Sequence, residues 1–354
     1  MKILDRYIMS NVLIAIALII LVLLGVENFV GLASQFSDVG KGNYNFILAL
    51  QYVLLLNPII LYEFFPIACL VGCLVGLGGL ASTQQLVVMR ASGVSIAQMI
   101  RITLKVGILL SALSFFLGEY VAPQWAHKAT MLKEKAMGRY SDSSALTGIW
   151  LKQGDNFIHI NTIISASEIQ GIIQYVFAPD NKLQAVINST KGHLVDNTWH
   201  LDDSTITEFS EQKITQKAAP DQNLMIKIKP NLIAEMSDSA QQKSIKGLFQ
   251  SYRYRQQLGL DYASIELVFW QKLLQPLTVI VMLSLGIPFV FGSLRDTGMA
   301  KRLLIGGFLG FGFYMLNKFS GYYSIAVHLP PLFAAILPML VFALLGLVLL
   351  RRVE

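Results

Sequence analysis

With 354 residues, of which 54% are hydrophobic and only 14% charged, the chain has too little polar surface for a water-soluble globule. Its net charge of +6 is small for the length, and the basic residues form no Lys/Arg-rich tract, which argues against a nucleic-acid partner. The two cysteines, Cys69 and Cys73, share a helix face in an apolar run without a nearby histidine, so they read as small packing residues and not as a metal site.

Six stretches are long enough to cross a bilayer, which takes about 20 apolar residues. In chain order they are roughly Tyr7–Leu32, Tyr52–Leu80, Ile96–Ala122, Ile265–Leu294, Leu303–Tyr323 and Pro331–Leu350. The first lacks a small-residue cleavage site and reads as a retained helix rather than a signal peptide. If six spans alternate, the basic clusters fall on one side: Lys2 and Arg6, Arg90 and Arg101, Arg295 with Lys301 and Arg302, and Arg351 with Arg352. Positive-inside orientation then makes both termini cytoplasmic.

Between the second and third spans lies Ala81–Lys105, too short to be a domain. Ser82 and Thr83 are placed to cap a helix carrying Gln84, Gln85, Leu86, Met89 and Arg90, which Ala91-Ser92-Gly93 ends. Ser95 is placed to cap the next span. A short amphipathic helix there either lies on lipid headgroups or docks in a groove of a cytoplasmic protein. The spacing predicts an exposed apolar face made by Leu86 and Met89, with Arg90 at its edge.

The same topology puts 123–262 outside, and here the pattern changes to alternation. Trp150–Ile160 reads as strand, turn and strand. Further strand-like pieces are Gly171–Ala178, Leu183–Ser189, Thr198–Leu201, Ile206–Phe209 and Leu224–Ile228, separated by turn signals such as Pro179-Asp180-Asn181 and Asp196-Asn197. This predicts a sandwich or jellyroll. Apolar residues such as Ile158, Ile160, Ile173 and Val176 supply its interior. His159, His193 and His200 share no spacing and Asp202-Asp203 reads as a solvated turn, so no catalytic or metal site is expected. A G-x-x-x-x-G-K-[ST] phosphate loop is also missing, and Gly76-Leu-Gly-Gly79 reads as a packing stripe in an apolar helix. A machine built on this chain must borrow its energy.

Charges inside spans are costly. Glu27, Glu119 and Glu266 read as interfacial, Glu63 is the deepest, and for Lys272 and Lys318 snorkelling and a lumen-facing role stay open. A cavity that is apolar below and cationic near its outer rim suits an anionic amphiphile.

Leu4-Asp5-Arg6-Tyr7-Ile8, Phe64-Phe65-Pro66, Leu86-Val-Val-Met-Arg-Ala-Ser-Gly93, Gly118-Glu-Tyr-Val-Ala-Pro-Gln124 and Gln275-Pro276-Leu277 resemble the LptF/LptG permease family, over essentially the whole chain. Phe291-Gly-Ser-Leu-Arg295 and the Val-Met-Arg-Ala-Ser-Gly form of the coupling stretch resemble the LptG branch more than the paralogous LptF branch. The resemblance implies an α-helical polytopic membrane protein with an inserted periplasmic all-β, jellyroll-like domain. Its parts would be transmembrane helices 1–3 in 1–122 with a coupling helix at about 83–93, the β domain in 123–262, and transmembrane helices 4–6 in 263–354.

It further implies a permease subunit of the lipopolysaccharide exporter in a Gram-negative inner membrane. Such a subunit is itself no enzyme. It binds no cofactor, and ATP is used by an LptB-like ATPase dimer on the cytoplasmic face. The other implied partners are an LptF-like permease and an LptC-like single-span protein. Lipopolysaccharide would leave the outer leaflet of the inner membrane for a periplasmic bridge. The implied ATPase-coupling residues are Gln85, Leu86, Met89 and Arg90. The family commonly has an acidic residue where Gln85 stands, and basic residues where this chain has Glu27-Asn28 and Ile59-Ile60. Either Lys133, Lys272 and Lys318 take over the phosphates, beside an apolar wall with Phe311 and Tyr314, or the cognate lipid A carries less charge. The rival reading is a mechanotransmitter that relays ATPase motion without passing lipid.

Overall fold

Long apolar runs fold as helices in a bilayer because every backbone N–H and C=O must be satisfied within the segment. The computed structural model describes residues 2–138, 146–153, 156–165, 168–178, 182–195, 198–210, 213–224, 239–257, 261–291 and 298–351. Its helices are α1 (Lys2–Gln35), α2 (Phe46–Ser82), α3 (Gln85–Ala91), α4 (Ile96–Phe116) and α5 (Ala122–Ala136), then α6 (Ile245–Gln257), α7 (Ala263–Phe291), α8 (Met299–Val327) and α9 (Pro331–Arg351). A π-turn, Leu117–Val121, joins α4 to α5, so the third apolar helix runs on to Ala136 instead of ending near Ala122. Six helical stretches are long and apolar enough to cross a membrane.

Contacts divide the chain into two compact units. The first holds Met1–Ser37, Ala49–Ala129 and Ala263–Glu354, and the second Asp38–Leu48 and Thr130–Tyr262. The boundary falls inside α5.

In the first unit α2 is the central helix, with buried residues along most of its length. Glycine and alanine let its neighbours close in. A Cβ on Gly72 would lie 2.6 Å from the Cα of Ile16 in α1, and one on Gly286 of α7 would lie 2.9 Å from the Cys73 sulfur. Both cysteines are buried packing residues, as the sequence predicts.

Prolines interrupt α2 at Pro58 and Pro66, and α7 at Pro276 and Pro288. A mid-helix proline leaves the carbonyl four residues earlier without its helical donor. For Pro66 that carbonyl is Tyr62, and the Gln275 side chain donates to it at 2.9 Å. For Pro276 it is Lys272, toward which the Tyr62 hydroxyl donates at 3.5 Å. Each broken helix is thus repaired by the other.

The second unit carries one six-stranded antiparallel sheet in meander order: β1 (Leu146–Gln153), β2 (Asn156–Ser165), β3 (Glu168–Phe177), β4 (Leu183–Val195), β5 (Thr198–Ser210) and β6 (Lys213–Leu224). The expected sandwich or jellyroll is, over the described residues, this single sheet. The two short pieces expected at Thr198–Leu201 and Ile206–Phe209 are one strand, β5, and Asp202-Asp203 lies within it rather than in a turn. The bend that the sequence suggests there is a kink, since Asp203 has φ +49°. Gly171 of β3 has φ +65°. Gly171 sits between the Ile172–Ile160 and Gln170–Thr162 pairs, and Asp203 between the Ser204–Ser189 and Asp202–Lys191 pairs. The register of β3 on β4 puts both in one row across the sheet.

This crease lets rows three residues apart bury on the same side. Ile160, Ile172, Ser189 and Ser204 are buried before it, and Ile169 and Leu201 after it. Ile158 and Ile160 are buried as predicted, whereas Ile173 and Val176 are only half-buried. β6 carries no mark in the sequence, because Lys213–Leu224 has no apolar alternation. The tight turns read at 154–155, 179–181 and 196–197, the strand end at 225–228, and Arg295 lie outside the described residues.

Candidate functional site

Three polar groups stand out against the apolar bundle and its neighbouring unit. The first is a belt across α2, α7 and α8. The Lys318 ammonium lies 2.7 Å from Glu63 Oε1 and 5.3 Å from the centre of the Tyr314 ring, which stacks on Phe64. Next to it, Gln271 Nε2 donates to Asn317 Oδ1 at 3.4 Å. Lys272 is buried, its ammonium 5.5 Å from the centre of the Tyr62 ring. Tyr62 in turn packs on Gly118, where a Cβ would overlap its ring. The α2–α8 seam below this belt is tight. Gly310 meets Ile67, Gly306 meets Leu74, and Gly78 lies under the Arg302 side chain.

The predicted cationic rim is therefore only partly open. Lys318 is half-exposed and shares its charge with Glu63, while Lys272 faces inward and is covered. Of the predicted apolar wall, Phe311 is exposed and Tyr314 is half-buried under Lys318. Exposed Phe308, Met315, Phe319 and Tyr322 extend that face of α8. Sequence alone did not point to Glu63 as the partner of Lys318, because the pair spans α2 and α8.

The second group is the connection around α3. Here the sequence expectation is corrected. Ser82 and Thr83 do not cap α3; their hydroxyls donate back to the Gly79 carbonyl at 2.9 and 3.0 Å. The turn is made by Gln84, with φ +59°. Leu86 and Met89 are not the exposed face. They are 4% and 9% exposed and belong to the core cluster that also contains Ile8, Leu77, Met99 and Val290. The side turned outward carries Val87 and Val88, 44% and 66% exposed, with Gln84 and Arg90. The reason is helical phase: residues 86 and 89 share one face, and the bundle needs that face. Gln85 is held from the side, where the Tyr7 hydroxyl donates to its Oε1 at 2.9 Å. Ser95 does cap α4, in a capping box with Gln98. Lys105 of α4 reaches Asp5 of α1 at 3.7 Å. A cavity of about 380 Å³ opens between Leu86, Val87, Arg90 and Ala91 of α3 and Val290 and Phe291 of α7.

The third group lies in the second unit. Asp38 accepts from Lys133 Nζ at 2.8 Å and from Lys41 Nζ at 2.6 Å, which holds its carboxyl down to about 2. Lys133 also lies over the Tyr44 ring. Lys41 stands six residues beyond the end of α1.

On the sheet, His193 and His200 face each other across β4 and β5, and His193 Nδ1 is 3.1 Å from Asp202 Oδ2. Sequence spacing gave no hint of that proximity. Among the described residues no group of three or more His, Cys, Asp or Glu side chains is arranged to hold a metal.

Six apolar helices and an inserted antiparallel sheet define a multi-pass membrane protein with a β domain spliced between its third and fourth spans. The chain belongs to the lipopolysaccharide export system permease LptF/LptG family, whose model matches residues 6–352. It is 32% identical over 355 residues to the lipopolysaccharide export system permease protein LptG of Escherichia coli K12, covering 99% of this chain and 98% of that protein. It is 29% identical over 351 residues to LptG of Haemophilus influenzae, again with 99% and 98% covered.

Proposed function

We propose that this chain is the LptG-type permease subunit of a lipopolysaccharide exporter in a Gram-negative inner membrane. The observation that carries the reading is full-length similarity to LptG proteins together with a membrane bundle that roots a short helix, α3, in its own core. In this reading the chain pairs with an LptF-like permease, and an LptB-like ATPase dimer docks on α3 and supplies ATP hydrolysis. An LptC-like single-span protein completes the membrane assembly. Both termini and α3 face the cytoplasm, consistent with Lys2, Arg6, Arg90, Lys301 and Arg351 lying toward one side. The β domain receives acyl chains in the periplasm.

The outer belt is proposed as the headgroup end of the lipid path. Within the first unit, Lys318 is half-exposed and able to meet phosphate, and Phe311 belongs to the apolar wall on the same helix; within the second unit, Lys133 and Lys41 are proposed as further phosphate contacts. Lys272 joins only if the α2–α7 seam opens. The outward Val87–Val88 pair is the ATPase contact, and Leu86 and Met89 transmit its motion into the bundle. Burying one such valine is worth about 1.5–3 kcal/mol.

The test is reconstitution of the chain with its cognate LptF-, LptB- and LptC-like partners in proteoliposomes. ATP-dependent release of lipopolysaccharide to a soluble acceptor is expected. ATP hydrolysis with no lipid crosslinked to a photoreactive residue beside Lys318 would favour the mechanotransmitter instead.

A further inference from the structure

We infer that α3 presents the Gln85 amide hydrogens and the Arg90 guanidinium beside its two outward valines, so that the cytoplasmic ATPase it meets offers an apolar groove rimmed, opposite those two residues, by acceptors, carboxylates above all. The inference rests on the docking reading above and specifies the partner's chemistry.

Three observations converge on it. First, the chain has no carboxylate between Glu63 and Glu119, while Arg90, Arg101 and Lys105 all fall in that interval. Arg90 and Arg101 are exposed, and Lys105 pairs with Asp5. Second, the carboxamide of Gln85 is oriented. Tyr7 occupies its Oε1 by donating the phenol hydrogen at 2.9 Å, which leaves the Nε2 hydrogens as the amide's outward offer. A glutamate at 85 would offer a second acceptor oxygen there, the opposite polarity. Third, the apolar part of the surface, Val87 and Val88, lies two and three residues after Gln85 and just before Arg90. A groove floored for the valines therefore brings its rim against both donors.

A cationic rim on the partner would set like charge against Arg90 and donors against the Gln85 amide hydrogens, which costs affinity and, through the charge, encounter rate. An acidic rim pairs with both. Tyr7 is a positioning residue in this account, because it fixes which end of the Gln85 amide the partner meets.

The test measures binding of the purified cognate ATPase to the full-length permease complex in nanodiscs, at low and high ionic strength, for Gln85→Ala, Gln85→Glu, Arg90→Glu and Val88→Asp. The expected order is wild type tightest, Gln85→Ala weaker, and Gln85→Glu and Arg90→Glu weaker still, each by about tenfold or more. Wild-type affinity should fall as salt rises, and Val88→Asp should abolish binding. If Val88→Asp fails to bind but Gln85→Glu or Arg90→Glu binds as tightly as wild type or tighter, the docking reading stands and the acceptor-rich groove is wrong. Arg90 would then serve the anionic bilayer surface. If Val88→Asp binds like wild type, α3 is not the docking element and both readings fall. Arg90 is exposed, so its reversal leaves the bundle packing intact and carries the test even where Val88→Asp disturbs α3.

Discussion

Gln275 donates a hydrogen bond to the carbonyl of Tyr62, the acceptor that Pro66 strips of its helical donor, and Tyr62 reaches back toward the carbonyl that Pro276 strips at Lys272. The Phe-Phe-Pro of α2 and the Gln-Pro of α7 are therefore one structure. Two broken helices are repaired across a single seam, in a setting where water is not at hand to do it. Replacing Gln275 with Leu leaves the Tyr62 carbonyl unsatisfied, at a cost of about 1–3 kcal/mol. Thermal unfolding in detergent should register the loss. Gln275→Leu melting like wild type would mean that the freed carbonyl finds another donor.

The Glu63–Lys318 pair is half-exposed at both ends, so it adds little stability, and its interest lies in competition. Glu63→Gln releases Lys318 and should raise retention of anionic lipid on the purified protein, whereas Lys318→Gln should lower it. Native mass spectrometry of bound lipid reads both. Equal retention by both variants and wild type would remove Lys318 from the lipid path.

Close packing of α1 on α2 depends on Gly72. A methyl group there would sit 2.6 Å from the Ile16 Cα, which is backbone and cannot swing aside. Gly72→Ala should therefore push the two helices apart and cost about 1–3 kcal/mol. Gly79→Ala, on the same helix but with open space around the added carbon, is the control and should be silent. Matching melting temperatures for the two variants would refute the seam.

Asp38 titrates near 2 because it accepts from Lys133 and then Lys41. Its pKa is depressed from 3.8, so its contribution to folding is fully present above about 4 and fades as pH falls toward 2. Lys133→Ala should shift the Asp38 midpoint upward, and Lys41→Ala should do so by less. A carboxyl-detected NMR titration of selectively labelled protein would read the order, and an unmoved midpoint in both variants would discount the cluster.

Much of this protein was written in one dimension. The six spans, the Ser95 cap and most of the strands other than β6 follow from local periodicity and composition, because a bilayer forces long apolar runs into helices and turns leave local marks. The family was readable for the same reason: its motifs are short and contiguous.

What needed the tertiary structure was every relation between distant segments. That Pro66 and Pro276 mend each other, that Glu63 holds Lys318, that Lys272 turns inward, and that His193 meets His200 are facts of helix seams and strand register. No spacing within one segment encodes them. The face of α3 is the clearest case. Periodicity fixed that Leu86 and Met89 lie together, but only the bundle decided that they are its floor and that Val87 and Val88 face out. A helix of 7 residues carries two apolar faces in its sequence, and which one is buried depends on the surface it lands on.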